Sequence, residues 1–538
     1  MSELELKQRE HEVEANARAL GLPYLNLKGF PLGQDALRIV PEEDAKRLKL
    51  VPVVVTDTEV RVGVVDPDAD GLRTYMSDLA KNHPARYATY LISPASFALA
   101  LQVYAGMPKV RPIIGGVTLT EDELARYKGL MKDFAHVNEL MARATVTEIV
   151  AITVAGSLEL RASDIHIEAE EKSIKIRYRI DGALYNVAEL SRDLWPKLIS
   201  RLKLMAHLKL NVEHEPQDGR FTIFLTADKV DVRVSTIPTA YGESVVMRLL
   251  RSSATGLGFD DLGIRGKAYE DLKREVERPN GMIMATGPTG SGKTTTLYAI
   301  LNKLNDSETK IITLEDPVEY KLAGVNQSQV DHAAGYDFAK GLKAILRQDP
   351  DIVMVGETRD SETAETAINA ALTGHLVIST IHTNSAAGAI PRFMAMGAKP
   401  FLLAPALNSI IGQRLVRKIC SKCKAETKLD ADTMARVKQV LDSISPASGA
   451  KVDASNLKFF QGKGCDACGN LGYKGRIGIY EIMTMNTDVE KLIFANKVTE
   501  AELQEITVKN GMVTMVQDGI LKAIDGITTV EEVFKVAE

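Results

Sequence analysis

The sequence is poor in aromatic side chains and has little net charge. Of its 538 residues, 5% are Phe, Trp or Tyr, and 66 Lys and Arg stand against 71 Asp and Glu, which gives a formal net charge of -5. Few aromatic rings leave little surface for stacking on nucleic-acid bases. A mildly acidic chain offers no overall attraction to phosphate backbones or anionic lipids. We therefore expect no nucleic-acid partner.

Long apolar runs are also missing. Residues 1–19 are mostly charged and lack the apolar region of a signal peptide. The longest uncharged apolar stretch, near residues 400–413, contains two prolines and an Asn and is too short to span a bilayer. The sequence thus predicts a cytoplasmic protein with no direct membrane span, which associates with a membrane only through a partner.

Cysteine is scarce, but the four cysteines present form two C-x-x-C pairs. Cys420 and Cys423 make the first pair, and Cys465 and Cys468 make the second. In a cytoplasmic protein this pattern favours a metal over a disulfide. Four thiolates bind Zn²⁺ tetrahedrally and leave no open position for chemistry, so we expect a closed structural zinc site. A metal-free redox role is the alternative.

The strongest chemical signal is the stretch Gly287–Thr294, which reads GPTGSGKT. It follows the apolar run Met282–Ala285 and precedes a helical pattern, Thr295–Leu301, which is the strand–loop–helix context of a phosphate-binding P-loop. Backbone N–H groups and the positive helix end can bind phosphates. Lys293 can then reach the β- and γ-phosphates, while the Thr294 hydroxyl binds Mg²⁺. The alternative is an ordinary glycine-rich turn. The residues expected to bind ATP are Gly287, Pro288, Thr289, Gly290, Ser291, Gly292, Lys293, Thr294 and Thr295.

Acidic residues follow the apolar strands predicted after the P-loop. Glu357 comes almost directly after the run Ile352–Val355, and a carboxylate at that place can orient the attacking water. Glu315, Asp316 and Glu319 surround a proline at the end of the preceding strand. They compete for the Mg²⁺ shell and for water positioning, and two of the three can equally serve only to hold a loop.

Two histidines bracket a third apolar run, with His375 before it and His382 after it. A histidine beside the γ-phosphate can sense hydrolysis by hydrogen bonding, and we expect this of His382 rather than of His375. Because ligands bind at the carboxyl ends of parallel strands, Glu319, Glu357 and His382 are expected to converge on the P-loop. A structural role is the alternative for both histidines.

Arginines lie on the strands predicted before the P-loop. Phosphoryl transfer builds up negative charge, which an arginine supplied from another domain can neutralise. Arg233 and Arg248 are the candidates, with Arg177 and Arg179 after them. The alternative is that all four are solvated strand arginines.

The chain is too long for a single core, so several domains are expected. Strand–helix alternation around the P-loop predicts a parallel sheet with helices on both faces, and so an α/β fold. Two β-branched runs joined by a polar turn at residues 56–59 predict a hairpin near the N-terminus. The expected segments are an N-terminal docking or regulatory domain (1–110), a linker and helix (111–143), a second α/β domain (144–253), the P-loop domain (254–410), a zinc-binding segment (411–480) and a helical C-terminal segment (481–538).

Four motifs together resemble the boxes of the secretion ATPase superfamily. They are GPTGSGKT for Walker A, ITLEDPVEY for the Asp box, LRQDPDIVMVGETRD for Walker B and TGHLVISTIHT for the His box. The upstream runs ASDIHIE, RYRIDG, PQDGR and VRVSTIPTAYGESVVMRLL resemble the second N-terminal domain of the same family. The N-terminal unit and the tetracysteine segment resemble the branch that assembles type IV pili or drives type II secretion.

This resemblance implies a fold and a set of roles. A RecA-like ATPase domain would follow a PAS-like α/β domain and a small N-terminal α/β domain, and it would carry a tetracysteine zinc insert. Glu357 would be the Walker B catalytic acid and Glu319 the Asp-box glutamate, while His375 and His382 fall in the His box. The arginines that reach the nucleotide from the neighbouring domain would be Arg233 and Arg248.

The resemblance also implies cofactors and partners. The cofactors would be ATP, Mg²⁺ and Zn²⁺. The active form would be a homo-hexamer, peripheral to the inner membrane, that works on a membrane platform protein and drives extrusion of pilins or pseudopilins. Two alternatives stay open: a RecA-like nucleic-acid motor with a zinc ribbon, and a nucleotide-gated scaffold without catalysis.

Overall fold

The structure, a computed structural model, describes residues 3–30, 32, 34–37, 39–40, 42–55, 59–69, 71–82, 86–106, 134–224, 229–251, 257–452, 457–495 and 498–537. The chain divides into two compact units, Met1–Ile114 and Gly115–Glu538. The expected N-terminal domain falls within the first unit. Residues 111–133 of the expected linker lie outside the described residues, as do residues 56–58 of the expected turn.

The first unit is a small α/β layer. Strand β1 (Leu50–Val55) pairs antiparallel with β2 (Glu59–Val64), which confirms the predicted hairpin, and β3 (Arg86–Leu91) adds to β2 in parallel. The inward residues of the three strands form one apolar core with the surrounding helices. These helices are α1 (Glu3–Leu20), α2 (Gln34–Leu37), α3 (Glu42–Leu48), α4 (Leu72–Asn82) and α5 (Pro94–Gly106).

The second unit begins with a helix-covered antiparallel sheet, which we call the preceding domain because it comes before the P-loop. Its strands lie in the order β6-β5-β4-β9-β8-β7. They are β4 (Asp164–Ala169), β5 (Ser173–Ile180), β6 (Ala183–Ser191), β7 (Gln217–Phe224), β8 (Lys229–Thr239) and β9 (Gly242–Arg251). Its helices are α6 (Phe134–Ala142), α7 (Val146–Glu159) and α8 (Trp195–Met205).

Local sequence explains these elements. Helix α7 begins where a capping box satisfies its first backbone groups: Thr145 Oγ1 accepts from the Glu148 N–H, and the Glu148 carboxylate accepts from the Thr145 N–H at 2.8 Å. Strand β5 alternates, so that Ile176 and Tyr178 are buried while Arg177 and Arg179 share the other face. The buried face packs against α7 and α8 in one core.

The P-loop domain is built on a seven-stranded sheet of order β12-β11-β13-β14-β10-β15-β18. Six strands are parallel, and β18 is antiparallel to β15. Strands β10, β13 and β14 are buried along their whole length, as their mainly apolar sequences predict for a sheet covered on both faces. The parallel strands are β10 (Gly281–Thr286), β11 (Ile311–Glu315), β12 (Asn326–Gln329), β13 (Ile352–Val355), β14 (Leu376–Ile381) and β15 (Leu407–Ile419).

Two expected segment boundaries fall inside strands of this sheet. Strand β15 runs through the boundary at 410/411, and β18 (Tyr473–Thr484) runs through the boundary at 480/481. The two strands pair along most of their length, from Ser409 opposite Thr484 to Ile419 opposite Tyr473. The zinc-binding segment therefore begins and ends within the central sheet, because the cysteine pairs lie beyond the ends of two of its strands.

The remaining elements cover the sheet and form the insert. The insert contains β16 (Lys424–Thr427), α15 (Ala431–Asp442) and β17 (Phe459–Gly462), which lie between the two cysteine pairs. The helical tail is also confirmed beyond residue 484, as α16 (Thr487–Phe494), α17 (Glu500–Lys509), α18 (Met515–Ile524) and α19 (Val530–Ala537). The helices of the P-loop domain are α9 (Gly266–Val276), α10 (Lys293–Leu304), α11 (Phe338–Ile345), α12 (Ser361–Leu372), α13 (Ala389–Ala395) and α14 (Pro400–Ala406).

Candidate nucleotide and metal sites

The P-loop connects the buried strand β10 to helix α10, as the motif predicts. Gly287, Gly290 and Gly292 all have positive φ angles, at 144°, 81° and 89°. A Cβ atom at Gly287 would lie 2.5 Å from the Gln413 carbonyl oxygen and 2.6 Å from Ser291 Oγ, so only glycine fits there. Ser291 Oγ is buried and has no hydrogen-bond partner among the described residues. A turn with this shape and a free buried hydroxyl fits a phosphate group.

The Lys293 side chain folds back onto the P-loop. Its Nζ donates to the carbonyl oxygens of Gly287 at 2.7 Å and Pro288 at 3.1 Å. Burial lowers the pKa of Lys293, the nearby Arg414 adds to this, and the Glu357 carboxylate opposes it. The lysine thus lies within the electrostatic reach of both the P-loop and the predicted catalytic acid.

A cavity of about 910 Å³ lies directly beside the P-loop. Its walls include Gly292 from the P-loop, Thr295 from helix α10, Gln413 and Leu415 from β15, and Tyr480 from β18. Its size is at the upper end of the range for small-ligand pockets.

Glu357 and His382 are brought together at the carboxyl ends of neighbouring strands. Glu357 follows β13 and His382 follows β14. The Glu357 Oε2 and His382 Nε2 atoms are 3.4 Å apart, and Arg359 Nε contacts Glu357 Oε1 at 2.6 Å. This is the edge of the sheet at which the P-loop lies, because the carboxyl ends of parallel strands meet there.

The three acids after β11 have different surroundings. Glu315 is buried and accepts hydrogen bonds from Thr313, Tyr298 and Gln327, so it holds the loop. The Asp316 Oδ2 atom lies 3.0 Å from His332 Nε2. The sequence left two roles open for these acids, at the Mg²⁺ and water or in holding the loop. The contacts of Glu315 fit the second role.

Glu319 contacts the preceding domain. Its Oε2 atom lies 3.3 Å from Arg233 Nη1, and Arg233 Nη2 also donates to the Val318 carbonyl at 3.5 Å. Of the four candidate arginines, Arg233 is the one that contacts the P-loop domain through a described ion pair. The charged contact therefore joins the sheet of the preceding domain to the loop after β11.

The other three arginines bind acids within their own sheet. Arg248 Nε donates to Asp164 at 3.0 Å, and Arg179 Nε lies 3.7 Å from the same carboxylate. Arg177 donates to Glu168 at 2.6 Å. Arg248 is nevertheless the direct cross-strand neighbour of Arg233, so both side chains extend from the same face.

His375 lies away from these residues. It precedes β14 and so lies at the opposite edge of the sheet from His382. Its Nδ1 atom is 3.1 Å from the Ala370 carbonyl oxygen. The structure thus gives His375 a local contact at the end of α12 and does not bring it to the P-loop.

The four cysteines converge as the C-x-x-C spacing predicted. All four Sγ atoms lie within 4.8 Å of one another. The Cys420–Cys465 and Cys423–Cys468 Sγ pairs are 3.9 Å apart, and the Cys465–Cys468 pair is 3.8 Å apart. A tetrahedral zinc with Zn–S bonds of about 2.3 Å requires sulfur separations of about 3.8 Å. The donor set therefore fits Zn²⁺.

Backbone N–H groups prepare one of these thiols for metal binding. Burial raises the pKa of Cys468, but the N–H groups of Cys465 and Gly472 donate to its Sγ, each at 3.3 Å, and with the neighbouring cysteines they lower the pKa to about 7. A thiol that ionises near neutral pH is a good zinc ligand because the thiolate is the binding species.

Sequence reasoning missed the residues that hold the P-loop from the side. Gln413 Nε2 donates to the Ser291 carbonyl oxygen at 2.8 Å, and Arg414 follows it on β15. Glu481 on the paired strand β18 accepts from the Ala386 N–H at 2.6 Å. Gln413 and Arg414 fall in the expected zinc-binding segment and Glu481 in the expected helical C-terminal segment, and the sequence predicts no nucleotide-site role for either segment. The start of β15 mixes the polar residues Asn408 and Ser409 with apolar ones, so no unbroken apolar run signals this strand.

This fold and site define a P-loop nucleotide-binding α/β protein with a structural tetracysteine site. A family model described as Type II/IV secretion system protein matches residues 139–535, and one described as MshEN domain matches residues 20–110. The chain therefore belongs to the type II/IV secretion system family. The family members described below, which are similar to this chain, are secretion and pilus-assembly proteins. Among the described residues, no helix is both long and apolar enough to cross a membrane.

The similarity to known proteins extends over almost the whole chain. The type IV pilus assembly ATPase PilB of Myxococcus xanthus is 38% identical over 520 residues, which is 96% of this chain and 89% of that protein. The type II secretion system protein E of Xanthomonas campestris is 38% identical over 542 residues, or 99% and 91% of the two chains. The solved structure of the Yersinia pseudotuberculosis ATPase DotB shares the fold, with a TM-score of 0.54 at 20% identity over 73% of this chain and 94% of that one.

Proposed function

We propose that this chain is an ATP-hydrolysing motor that powers type IV pilus assembly or type II protein secretion. The observation that supports this best is the convergence of Lys293, Glu357 and His382 at one edge of the parallel sheet. The similar proteins are a pilus assembly ATPase and a type II secretion protein, and no relative named above is a nucleic-acid motor.

Nucleotide binding is assigned to the P-loop and the cavity beside it. The backbone of residues 287–292 and the start of helix α10 bind the phosphates, and Thr295 lines the cavity for the nucleoside. Lys293 exchanges its carbonyl contacts for phosphate oxygens. The Thr294 hydroxyl would hold a Mg²⁺ ion, which would supply positive charge to neutralise the terminal phosphates.

Catalysis is assigned to the acids and the histidine at the strand ends. Glu357 is partly buried, with an exposed side-chain fraction of 16%, and its carboxylate orients the attacking water. His382 lies 3.4 Å from Glu357. It is placed to sense the γ-phosphate by hydrogen bonding and to transmit its presence to β14, the neighbour of β13 in the sheet. Glu319 contacts Arg233 of the preceding domain, which helps to position its carboxylate.

Motion follows from the contact between the two domains. Arg233 and its cross-strand neighbour Arg248 both extend from the sheet of the preceding domain. When charge builds up on the phosphates, these cations are attracted to it, and the preceding domain rotates against the P-loop domain. In a homo-hexamer, such rotations around the ring would act on an inner-membrane platform protein from the cytoplasmic side. The zinc site would keep the ends of β15 and β18 together during that movement.

ATP turnover tests the proposal. Purified protein with Mg²⁺ should release orthophosphate, and Lys293→Ala should abolish release by weakening phosphate binding. Glu357→Gln should retain ATP binding but reduce turnover by about 10²- to 10³-fold, as expected when a transition-state interaction is lost. Glu365→Gln, an exposed acid on α12, is the matched control. Unchanged turnover in Lys293→Ala would contradict the proposal.

A deletion strain distinguishes the two outputs. Loss of surface pili after deletion would identify pilus assembly, while retention of exoproteins in the periplasm would identify type II secretion. ATP hydrolysis stimulated by DNA, with a steep dependence on salt, would instead support a nucleic-acid motor.

A further inference from the structure

Arg414 lies beside the P-loop because of the strand order. Strand β15 runs parallel to β10, with Thr286 opposite Gly412. The residues that follow Gly412 on β15 therefore lie next to the residues that follow Thr286, which are the P-loop. A Cβ atom placed on Gly287 would be 3.2 Å from Arg414 Nη1. The guanidinium thus approaches the first glycine of the loop directly.

Two cations meet at this glycine. Lys293 Nζ donates to the Gly287 carbonyl oxygen at 2.7 Å, and Arg414 approaches from the side of β15. Burial lowers the pKa of Arg414, and the Glu481 carboxylate opposes this only in part. In the part of the chain that the structure describes, Arg414 forms no salt bridge; its described donations go to carbonyl oxygens. Two like charges in a half-buried place are unfavourable unless an anion lies between them.

Arg414 also contacts the loop that follows His382. Its Nη2 donates to the Asn384 carbonyl oxygen at 3.0 Å, and its Nη1 donates to its neighbour Gln413 at 3.2 Å. The same loop is tied to the end of β10, since Thr286 Oγ1 donates to the Thr383 carbonyl oxygen at 2.8 Å. One guanidinium therefore spans the P-loop and the His382 loop.

We infer that Arg414 binds the nucleotide phosphates beside Lys293, and that it links phosphate occupancy to the position of the loop after His382. The inference rests on the proposed ATP hydrolysis and adds to it a cation from the same chain and the same sheet. Arg233 and Arg248, by contrast, come from the preceding domain. Planar guanidinium groups suit this task because their several N–H donors can bind a carbonyl and a phosphate at once.

The alternative is that Arg414 only ties down the His382 loop through Asn384. Two substitutions separate these roles. Arg414→Gln keeps an N–H donor for the Asn384 carbonyl but removes the charge. Arg414→Lys keeps the charge but loses the planar fork. A phosphate-binding role predicts that Lys is tolerated better than Gln, and a purely loop-holding role predicts no such order.

Equilibrium binding of ATP, ADP and adenosine to the full chain tests this directly. The Glu357→Gln background slows turnover enough for the titration to be completed. Arg414→Gln should weaken ATP binding by about 10- to 100-fold, as expected for a lost charge-assisted hydrogen bond, and should leave adenosine binding unchanged. Arg414→Lys should lose less. Arg392→Gln, an exposed arginine on α13, is the control.

The outcomes distinguish this inference from the proposed function. Equal loss of ATP and adenosine affinity, or equal ATP affinity in the Gln and Lys variants, would overturn the role of Arg414 while leaving ATP hydrolysis intact. Absence of ATP binding and turnover in the unmodified chain would overturn the proposed function itself. A thermal transition unchanged in Arg414→Gln would confirm that the fold is retained, and Arg414→Lys provides a second variant if it is not.

Discussion

Arg233 Nη1 on strand β8 lies 3.3 Å from Glu319 Oε2 in the loop after β11, across 86 positions of sequence. This contact joins the antiparallel sheet of the preceding domain to an acid of the P-loop domain. Both side chains are a little over one-third exposed, so the ion pair itself adds little to stability. Its importance is positional, because it makes the placement of Glu319 depend on the preceding domain.

The first prediction follows from this relationship. Arg233→Ala and Glu319→Ala should each lower ATP turnover, and the double variant should be no worse than the more damaging single one. The two residues act as a unit, so the coupling in a double-mutant cycle should be about 1 kcal/mol or more. The measurement is steady-state phosphate release.

A control double-mutant cycle on Lys175 and Glu170 tests whether any ion pair of the preceding domain's sheet shows the same coupling in ATP turnover. This pair has a contact of 2.7 Å and lies on the preceding domain. It should show no coupling in turnover. Purely additive losses for Arg233 and Glu319 would mean that their contact does not matter for hydrolysis.

The second prediction concerns zinc. The protein purified without chelator should contain about one zinc ion per chain, because four thiolates at these separations form a closed tetrahedral site. Cys465→Ser should reduce the zinc content to near zero and lower the midpoint of thermal unfolding. Elemental analysis and calorimetry measure the two effects.

Ser421→Ala, between the cysteines of the first pair, should keep both the metal and the midpoint. Recovery of the unmodified protein with two disulfides and no zinc would instead support the metal-free redox alternative.

The third prediction concerns acid stability. The Glu532 carboxylate of α19 accepts hydrogen bonds from Arg417 Nε at 2.9 Å and Nη2 at 2.5 Å. Burial raises the pKa of Glu532, but the hydrogen bonds and charge of Arg417 outweigh burial and lower it. A lowered pKa in the folded state contributes stability above the unfolded pKa of about 4.3, and this is lost as the pH falls through the folded value.

Glu532→Gln should therefore destabilise the protein by about 2 kcal/mol at pH 7. The difference from the unmodified protein should shrink as the pH falls below about 4.3. Urea-unfolding midpoints measured across pH check this, with the exposed neighbour Glu531→Gln as the control. A difference that stays constant down to pH 3 would show that the ionised carboxylate is not the source of the stability.

The sequence predicted the parts of this molecule that depend on local pattern. The P-loop is recognisable because its glycines, lysine and threonine are contiguous and lie between a strand and a helix. Glu357 and His382 could be placed because each directly follows an apolar strand, and parallel strands end at one edge. The zinc site could be predicted because each C-x-x-C pair is a local sequence pattern.

The contacts that sequence reasoning missed depend on strand order. Gln413 and Ser291 are 122 positions apart, and their hydrogen bond exists because β15 lies beside β10. Neither residue belongs to a sequence motif that would predict its contact with the other. The pairing of Arg248 with Asp164 is similar, since it follows from the register of β4 and β9. Which of several arginines contacts a distant acid cannot be derived from periodicity alone.

The continuity of β15 through residue 410 limits how this protein can be divided. A fragment that stops at that position would keep the glycine-rich loop but lose its lateral support from Gln413. It would also leave Ala285 and Thr286, at the end of β10, without their partners Ile411 and Gly412, and exposed strand backbone favours aggregation. Biochemical work on the catalytic half must therefore carry the cysteine-bearing insert and the following strand with it, since the chain returns to the sheet only at Tyr473.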